Sequence, residues 1–304
     1  MASVAPQSGA IATDEANPAE HPVSEPHRIP WLLIAWFTVL IVGANFSILR
    51  RLAQQWLNDG DMGHGFFVPL VAGWIAWKRR DQLLALALKP AWWGVPIMLW
   101  GMAQGYLGTL GADLFLQRTS VLITLVGLLL TTGGTALIRA LAFPLLLLPF
   151  MIPFPGVVYN QITFPLQLLA SQVAEGALWL LGVPVLRNGN VLELPSQSLD
   201  VAEACSGIRS LLSLSFLSLW YAYFFEKRIW MRWVLLFSTV PIAIIANAGR
   251  VTVTGLLSEV NPEFARGVFH EMEGWVIFAI ALIMLAILHL TLKRLFKTGE
   301  RAHA

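Results

Sequence analysis

The chain has 304 residues, of which 57% are hydrophobic and only 12% are charged, with a formal net charge of +2. Soluble globular domains are usually about 45–50% apolar and about 25% charged, and disordered chains are poor in apolar residues, so the composition argues against both classes. A polytopic protein of the lipid bilayer remains, and the net charge gives no reason to expect a nucleic-acid partner. The single cysteine excludes an internal disulfide.

The chain begins with residues 1–28, which are polar and contain no apolar run long enough for a secretory signal, so we predict a disordered cytoplasmic tail. A polytopic domain follows over residues 29–292, and residues 293–304 form a basic cytoplasmic tail. Long apolar stretches satisfy their backbone groups in lipid as helices, which predicts an all-α integral membrane fold of about eight transmembrane helices. The predicted spans are residues 31–49, 65–77, 91–110, 119–137, 140–154, 207–225, 233–249 and 274–292.

Two features distinguish the segment between the fifth and sixth spans. Residues 157–182 are apolar enough to resemble a further span, but they carry a polar stripe close to one helix face: Asn160, Gln167, Ser171 and Glu175. Such a stripe predicts an amphipathic helix that lies in the membrane interface or lines a site. The weak alternation of polar and apolar side chains over residues 189–203 then predicts a short β-hairpin before the sixth span.

Basic residues indicate the orientation of the spans, because they gather in cytoplasmic loops. The basic clusters occur in residues 78–89, at position 139, in residues 226–232 and in the C-terminal tail. All of them fall on one side of the membrane if residues 157–205 stay on the opposite side. We therefore predict a multi-pass protein with both termini in the cytoplasm and residues 157–205, with the amphipathic helix, on the outer face.

This topology brings three residues to the outer ends of neighbouring spans. Cys205 opens the sixth span, Arg250 closes the seventh, and His270 opens the eighth. Taken singly, each has an ordinary structural role, as a small buried side chain, a snorkelling anchor and an interfacial residue respectively. Their coincidence at one membrane face favours a shared function, because the loop charges set the topology without reference to Cys205 or His270.

A thiol beside a histidine and an arginine suits nucleophilic catalysis on an acyl group. The N-terminus of the sixth span favours the thiolate of Cys205, and Arg209, one turn further on, adds a cation. The thiolate attacks, the histidine transfers protons, and a cation or amide donors hold the oxyanion. One cysteine with one nearby histidine supplies too few ligands for zinc, so we expect neither a metal nor a cofactor.

Four sequence motifs resemble those of the exosortase/archaeosortase family. Residues 203–210 (EACSGIRS) are similar to its cysteine motif, residues 247–250 (NAGR) to its arginine motif, and residues 270–274 (HEMEG) to its histidine motif. Residues 63–69 (GHGFFVP) are similar to its early glycine–histidine–glycine segment. The motifs occur in the family's order, and the resemblance covers about residues 56–290.

The resemblance implies a membrane transpeptidase of the bacterial plasma (inner) membrane that acts at the outer, periplasmic face. Such enzymes recognise a C-terminal sorting signal of secreted proteins, made of a short motif (Pro-Glu-Pro in bacteria), a transmembrane helix and a basic tail. They cleave near the motif and pass the protein to an acceptor, which the sequence does not identify. By motif, Cys205 is the nucleophile, Arg250 stabilises charge and His270 is the acid/base.

Further residues near these motifs are predicted to support the site or to bind substrate: His64, Glu203, Arg209, Asn247 and Glu271. His64 lies at the mouth of the second span on the same outer face, in a glycine-lined turn where a structural role and a substrate contact are both open. Glu271 is placed to orient His270. Gly63 departs from the family pattern, in which serine is common before the histidine of the early motif.

Three alternatives stay open at this stage. A component of exopolysaccharide export or a transporter also fits eight spans without a large soluble domain. Such a protein often has intramembrane charges along a pathway and inverted repeats, whereas this chain has only Arg118 and Arg209 near span interiors and no repeat. A membrane protease that transfers the acyl group only to water, and an acyltransferase that acts on lipid, are the other two.

Overall fold

A computed structural model of the chain describes residues 31–201, 207–261 and 267–302, and within these ranges helices dominate, as the sequence predicts. The α-helices are α1 (Trp31–Ala44), α2 (Phe46–Asn58), α3 (Phe67–Lys78), α4 (Arg80–Leu84), α5 (Gly94–Leu110), α6 (Leu114–Ala140), α7 (Ala142–Leu147), α8 (Gly156–Leu180), α9 (Gly207–Phe225), α10 (Ile229–Val260) and α11 (Gly267–Ala302). The first 3-10 segment is Gly60–Phe66, and the second is Leu148–Met151. Three short strands follow α8: β1 (Leu186–Asn188), β2 (Val191–Glu193) and β3 (Ser198–Asp200).

The described part of the chain contains fewer candidate membrane spans than the eight that the sequence predicts. In the described part of the chain, three helices are long and apolar enough to cross a membrane: α6, α10 and the Trp275–Phe296 part of α11. The number rises to five if two bent pairs each count as one span, namely α1 with α2, and α7 and the second 3-10 segment with α8. Eight spans are not confirmed, because α3 and α5 have only 12 and 17 residues, whereas a straight crossing needs about 20.

The predicted first span, residues 31–49, is divided by a bend of 73° between α1 and α2. Asn45 stands at the break, where its side-chain amide donates to the Ile41 carbonyl oxygen at 2.9 Å. On α2, Leu52 is buried whereas Arg50 and Arg51 are exposed. The chain therefore changes direction within the continuous apolar run, and α2 is a separate amphipathic helix.

Helices α5 and α6 form an antiparallel hairpin whose backbones approach closely through small residues. Gly94, Gly101 and Gly108 recur at intervals of seven on α5 and are buried against α6. A Cβ atom at Gly101 would lie 2.7 Å from the backbone nitrogen of Thr124. Small residues at such an interface let dispersion contacts between backbones hold two helices together in lipid.

Helix α6 has a kink at Gly134, where φ is +69°. The position also touches the chain that precedes α5, because a Cβ atom at Gly134 would collide with the Lys89 carbonyl oxygen. Only glycine combines a left-handed backbone with this close approach.

Helix α8 packs against the second half of α10, where Leu178 of α8 lies in one apolar cluster with Val251. Two residues of its polar stripe, Gln167 and Ser171, are buried, and the Ser171 hydroxyl donates to the Gly189 carbonyl oxygen at 3.1 Å. The structure thus favours the prediction of a helix that lines part of the protein interior over one with its polar face in water. Its placement relative to the bilayer stays a prediction.

The predicted hairpin after α8 is present and is extended by a third strand. The antiparallel order is β1-β2-β3, with Leu192 opposite Leu199. Leu192 and Leu199 pack with Leu178 of α8 and Val251 of α10 in one apolar cluster. We call the sheet, the C-terminal part of α8 and the last ten residues of α10 the cap.

Helices α9, α10 and α11 form a bundle around a continuous apolar core. The core includes Leu214, Leu235 and Leu285, one from each helix. The short connection between α9 and α10 makes these two helices antiparallel, and α11 again runs antiparallel to α10. We call the end at the α9–α10 connection the turn end, and the opposite end, where α9 and α11 begin, the site end.

Candidate functional site

The register of the bundle places the start of α9, the arginine motif on α10 and the start of α11 at the site end. The hydroxyl groups of Ser215 on α9 and Thr239 on α10 lie 3.1 Å apart, and Leu211 lines the same crevice as Ala243. Continuing this antiparallel register by four residues places Gly207, the first residue of α9, level with Asn247. The first turn of α11 lies at the same end because α11 runs antiparallel to α10.

The arginine motif lies inside α10, whereas the sequence placed Arg250 at the end of a span. Asn247 is buried, with 7% of its surface exposed, and Arg250 is half-buried one turn further on. The helix continues past Arg250 to Val260. At 1.5 Å per residue, Ile229 to Arg250 spans about 32 Å, close to the thickness of a hydrocarbon core. Arg250 therefore fits the boundary between a membrane span and the cap.

Asn247 faces an apolar crevice between α8, α9 and α10. The described residues that line the crevice are Leu166, Leu211, Val240, Ala243, Ile244 and Asn247. The Asn247 amide is the polar side chain in this set and can offer both a donor and an acceptor. An apolar crevice that ends at a buried amide suits a ligand with an apolar part and a hydrogen-bonding group.

The structure constrains the remaining predicted residues of the site to different degrees. Cys205 and Glu203 lie outside the described residues. Arg209 is the third residue of α9, and His270 and Glu271 are the fourth and fifth residues of α11. The described parts of these three residues are their backbones. Their helices therefore converge at the site end, while their side-chain contacts stay predictions.

The early motif is held by the backbone of the second 3-10 segment. The Nε2 atom of His64 donates to the Phe150 carbonyl oxygen at 3.2 Å, which assigns the hydrogen to Nε2. Beside it, the Trp56 indole donates to the Met151 carbonyl oxygen at 2.9 Å. A Cβ atom at Gly65 would lie 2.5 Å from Trp56 Nε1, so glycine is needed there.

This arrangement fixes the position of His64 relative to the bundle. The first 3-10 segment, which carries His64, contacts both the second 3-10 segment and α9. His64 is thus anchored beside the helix that follows the cysteine motif. Trp56 was not singled out from the sequence, where an indole in an apolar chain gives no signal of a specific hydrogen bond over 95 residues.

A second buried polar cluster, at the turn end, was also missed. The Tyr221 hydroxyl donates to Nδ1 of His289 at 2.8 Å, and Nε2 of His289 donates to Glu226 Oε2 at 3.1 Å. The other Glu226 oxygen accepts from the backbone N–H of Arg228 at 2.8 Å, and Arg232 Nε donates to the Glu226 carbonyl oxygen. His289 and Glu226 are only 2% and 6% exposed. A histidine within an apolar run was the available signal.

Hydrogen bonds determine the charge state of Glu226. Burial by itself raises the pKa of the Glu226 carboxyl, but the backbone N–H groups of Arg228 and Lys227 and the His289 ring donate to the carboxylate. Their combined effect holds the pKa below its ordinary value. The cluster is therefore a closed network in which the carboxylate has donors on both oxygens.

No group of three or more His, Cys, Asp or Glu side chains with the arrangement of a metal site occurs within residues 31–201, 207–261 and 267–302. The described polar side chains of the two ends supply hydrogen-bond donors, acceptors and charge.

Comparison with known proteins gives the family. A family model described as transmembrane exosortase (EpsH type) matches residues 56–287, which is more than three quarters of the chain. The chain belongs to the transmembrane exosortase family. This confirms the resemblance carried by the four motifs, all of which lie within the matched residues. No curated protein and no solved structure matches this exosortase.

Membership gives the general role. Exosortases are cysteine-type transpeptidases of the membrane that act on sorting-signal substrates. The helices of the described part fit a membrane protein. The general prediction of a membrane transpeptidase in protein sorting is therefore confirmed at the level of the family.

Proposed function

We propose that this exosortase cleaves the C-terminal sorting signal of secreted proteins through a thioester on Cys205 and transfers the protein to an acceptor. The observation that supports the proposal is the register of the bundle, in which Gly207 at the start of α9 is level with Asn247 of the arginine motif. In the sequence, Cys205 precedes Gly207 by two residues.

His270 is close to the same level along the bundle. Tyr221 of α9 bonds His289 of α11, and the two helices run in the same direction. Extending this parallel register places Gly207 level with Trp275, and His270 lies five residues, or about 7.5 Å along the helix, beyond Trp275. The starts of α9 and α11 and the Arg250 turn of α10 therefore lie at one end of the bundle, where the proposal puts the reaction.

The proposed acylation step conserves every atom. The Cys205 thiol gives its proton to His270, and the sulfur forms a bond to the carbonyl carbon of the scissile peptide. The C–N bond of the tetrahedral intermediate then breaks, and His270 returns the proton to the leaving amine. The product is a thioester between the secreted protein and Cys205.

Deacylation uses the same residues, and the acceptor takes the place of the leaving amine. His270 accepts a proton from an acceptor amine, an acceptor hydroxyl or water, and that group attacks the thioester carbon. The C–S bond breaks, and His270 passes the proton to the leaving sulfur, which restores the Cys205 thiol. The Arg250 guanidinium holds the oxyanion of both tetrahedral intermediates or a substrate carboxylate, because its planar fork is permanently charged.

The other predicted residues have positioning roles in the proposal. Asn247, buried one turn before Arg250 at the crevice, hydrogen-bonds the substrate segment that enters between α8 and α9. His64, anchored by the Phe150 carbonyl, supports α9 near the cysteine motif. Glu203 and Arg209 tune the charge near Cys205, and Glu271 orients His270.

The proposed partners are the sorting-signal region of secreted proteins, the lipid bilayer and an acceptor. We place the site end at the outer face of the inner membrane and both termini in the cytoplasm, with eight crossings in which α3, α5 and α7 are short. The basic residues of the loops support this orientation.

The nucleophile is tested with Cys205→Ala and Cys205→Ser, each expressed with a tagged secreted protein that ends in a sorting signal. Both variants should leave the substrate full-length, whereas the matched neighbour Ser206→Ala should process it. The wild type should form a covalent substrate adduct that hydroxylamine releases, and Cys205→Ala should form none. These two results together would identify the thioester. Normal processing by Cys205→Ala would rule out the proposed mechanism.

The orientation is tested with the same single thiol. A membrane-impermeant maleimide added to intact spheroplasts should label Cys205, and Cys205→Ser should give no signal. Labelling that requires opened, inside-out vesicles would reverse the orientation. A genome that encodes no secreted proteins ending in a short motif, an apolar helix and a basic cluster would favour the export alternative.

A further inference from the structure

Arg118 is a charged residue in a membrane-spanning helix that the proposed reaction does not use. It lies on α6, five residues after Asp113, whose carboxylate caps the helix by accepting from the Leu116 N–H at 2.9 Å. Only 5% of Arg118 is exposed. Its Nε atom is enclosed and has no hydrogen-bond partner among the described residues.

The face of α6 that carries Arg118 differs from the face that packs on α5. The α5 contacts involve Ser120 and Thr124, whereas the spacing of three and four residues puts Arg118 beside Phe115 and Leu122. Phe115 and Leu122 pack against the apolar cluster that contains Leu52 of α2. Arg118 therefore lies on the side of α6 turned toward α2 and the second 3-10 segment.

This position lacks an anion supplied by the described chain. Ion pairs such as Arg80–Asp81, Arg187–Glu175 and His289–Glu226 occur among the described residues, but Arg118 has no described acidic partner. A buried guanidinium without an anion is strongly unfavourable, and ionisable groups at membrane depth pair with an opposite charge or mark a binding site. An external anion satisfies Arg118.

The neighbouring helix indicates where the anion comes from. Helix α2 turns by 73° from α1, buries Leu52 and exposes Arg50 and Arg51, which is typical of a helix in the headgroup region. Arg118 lies five residues, or about 7.5 Å along α6, from the exposed turn at Asp113. A long basic side chain this close to the end of a span can extend toward the headgroup region.

The fold separates Arg118 from the proposed reaction site. The apolar cluster beside Arg118 reaches α9 at Phe216, which lies nine residues, or about 13.5 Å along the helix, from Gly207. A peptide at Cys205 would have to pass this cluster to place a carboxylate at Arg118, whereas a lipid would approach along α2.

We propose that Arg118 binds the phosphate of a phospholipid whose headgroup lies at the junction of α2 and α6. The guanidinium donates two parallel N–H hydrogen bonds to phosphate oxygens, and the acyl chains lie on the apolar surface beside the junction. The site is independent of the transpeptidase reaction, so its failure would leave the proposed function standing.

The first test uses the wild-type chain in a non-ionic detergent. After extensive delipidation, phosphorus analysis and native mass spectrometry should find about one tightly held phospholipid per chain, as one buried Arg requires. A chain that retains none, and that short-chain phosphatidylglycerol does not stabilise against heat, overturns the proposal.

Variants then assign the lipid to Arg118. Arg118→Met should lose the retained phospholipid, and Arg118→Lys, which keeps the charge without the fork, should bind short-chain phosphatidylglycerol about tenfold more weakly. The exposed neighbour Arg51→Lys is the matched control and should bind as the wild type does. Where Arg118→Met does not fold, Arg118→Lys decides, and an affinity equal to that of the wild type overturns the proposal.

The choice of probe distinguishes the sources of the anion. Short-chain phosphatidylglycerol should raise the thermal stability of the delipidated chain, and the matching diacylglycerol without phosphate should not. Protection by inorganic phosphate alone would point to a free ion, and protection by an acidic peptide but not by the lipid would point to substrate. Either result overturns the lipid assignment.

Discussion

The two ends of the α9–α11 bundle use polar residues in opposite ways. At the turn end, Tyr221, His289 and Glu226 form a closed network in which each buried group meets a partner inside the protein. At the site end, Asn247 faces a crevice and Arg250 follows one turn later, within the residues that match the family model. A closed network stabilises helix packing, whereas an amide beside a crevice, such as that of Asn247, can contact a ligand.

Arg250→Lys gives the largest expected effect at the site end. Loss of the planar fork removes a bidentate contact to the oxyanion, so processing of a tagged substrate should fall about 10²–10³-fold while thermal stability in detergent changes little. Arg232→Lys on the same helix is the matched control, because Arg232 contacts the turn end. It should keep activity, and equal activity losses in the two variants would contradict the comparison.

Glu226→Ala gives the largest expected effect at the turn end. It leaves the buried His289 ring without its acceptor and should lower the free energy of unfolding by about 3 kcal/mol. Activity per folded molecule should be preserved. Glu259→Ala, which changes an exposed carboxylate bonded to Ser196, is the control and should cost about 1 kcal/mol or less. Thermal unfolding and a processing assay on the same samples measure both quantities.

Tyr221→Phe tests a single bond of the same network. Removing the hydroxyl while keeping the ring should cost about 1 kcal/mol, because Nδ1 of His289 loses one donor. Tyr106→Phe, at an exposed position on α5, should leave stability unchanged. If both variants have the melting temperature of the wild type, the hydrogen bond from Tyr221 does not contribute to stability.

Acid should weaken the turn end through Glu226. The pKa of this carboxyl is lower in the folded chain than in the unfolded chain, so its stabilising contribution is complete above the unfolded pKa and is lost as pH falls through the folded pKa. Wild-type stability should therefore decline more steeply below about pH 4.5 than that of Glu226→Gln. If the free energy of unfolding has the same pH dependence in the two proteins, another carboxyl controls acid unfolding.

The sequence predicts the class of fold because composition reflects the surrounding solvent. The low charge and the apolar runs indicate a helical membrane protein, and the alternation after α8 indicates the β-strands that the structure contains. Span number was less predictable, since an apolar run does not show where the chain turns. Asn45 within residues 31–49 and the glycine contacts of α5 with α6 become visible only in three dimensions.

The candidate site was predictable through motifs rather than through geometry. Asn247 and Arg250 occur in a short motif, and the structure shows that one is buried and that their helix continues past both. The Tyr221–His289–Glu226 network joins residues 63 and 68 positions apart, which a pattern of neighbouring residues cannot indicate. Trp56 was missed for the same reason.

The length of α10 has a consequence for which proteins this exosortase can accept. The helix has 32 residues and is continuous from the turn end through Arg250 into the cap, so it measures about 48 Å as a single rod. Arg250 consequently stands at a set height above the turn end. Under the proposed function, the distance from the turn end to Arg250 sets where a cargo can be cleaved. The cleavage point must lie a fixed number of residues from the cargo's own membrane anchor.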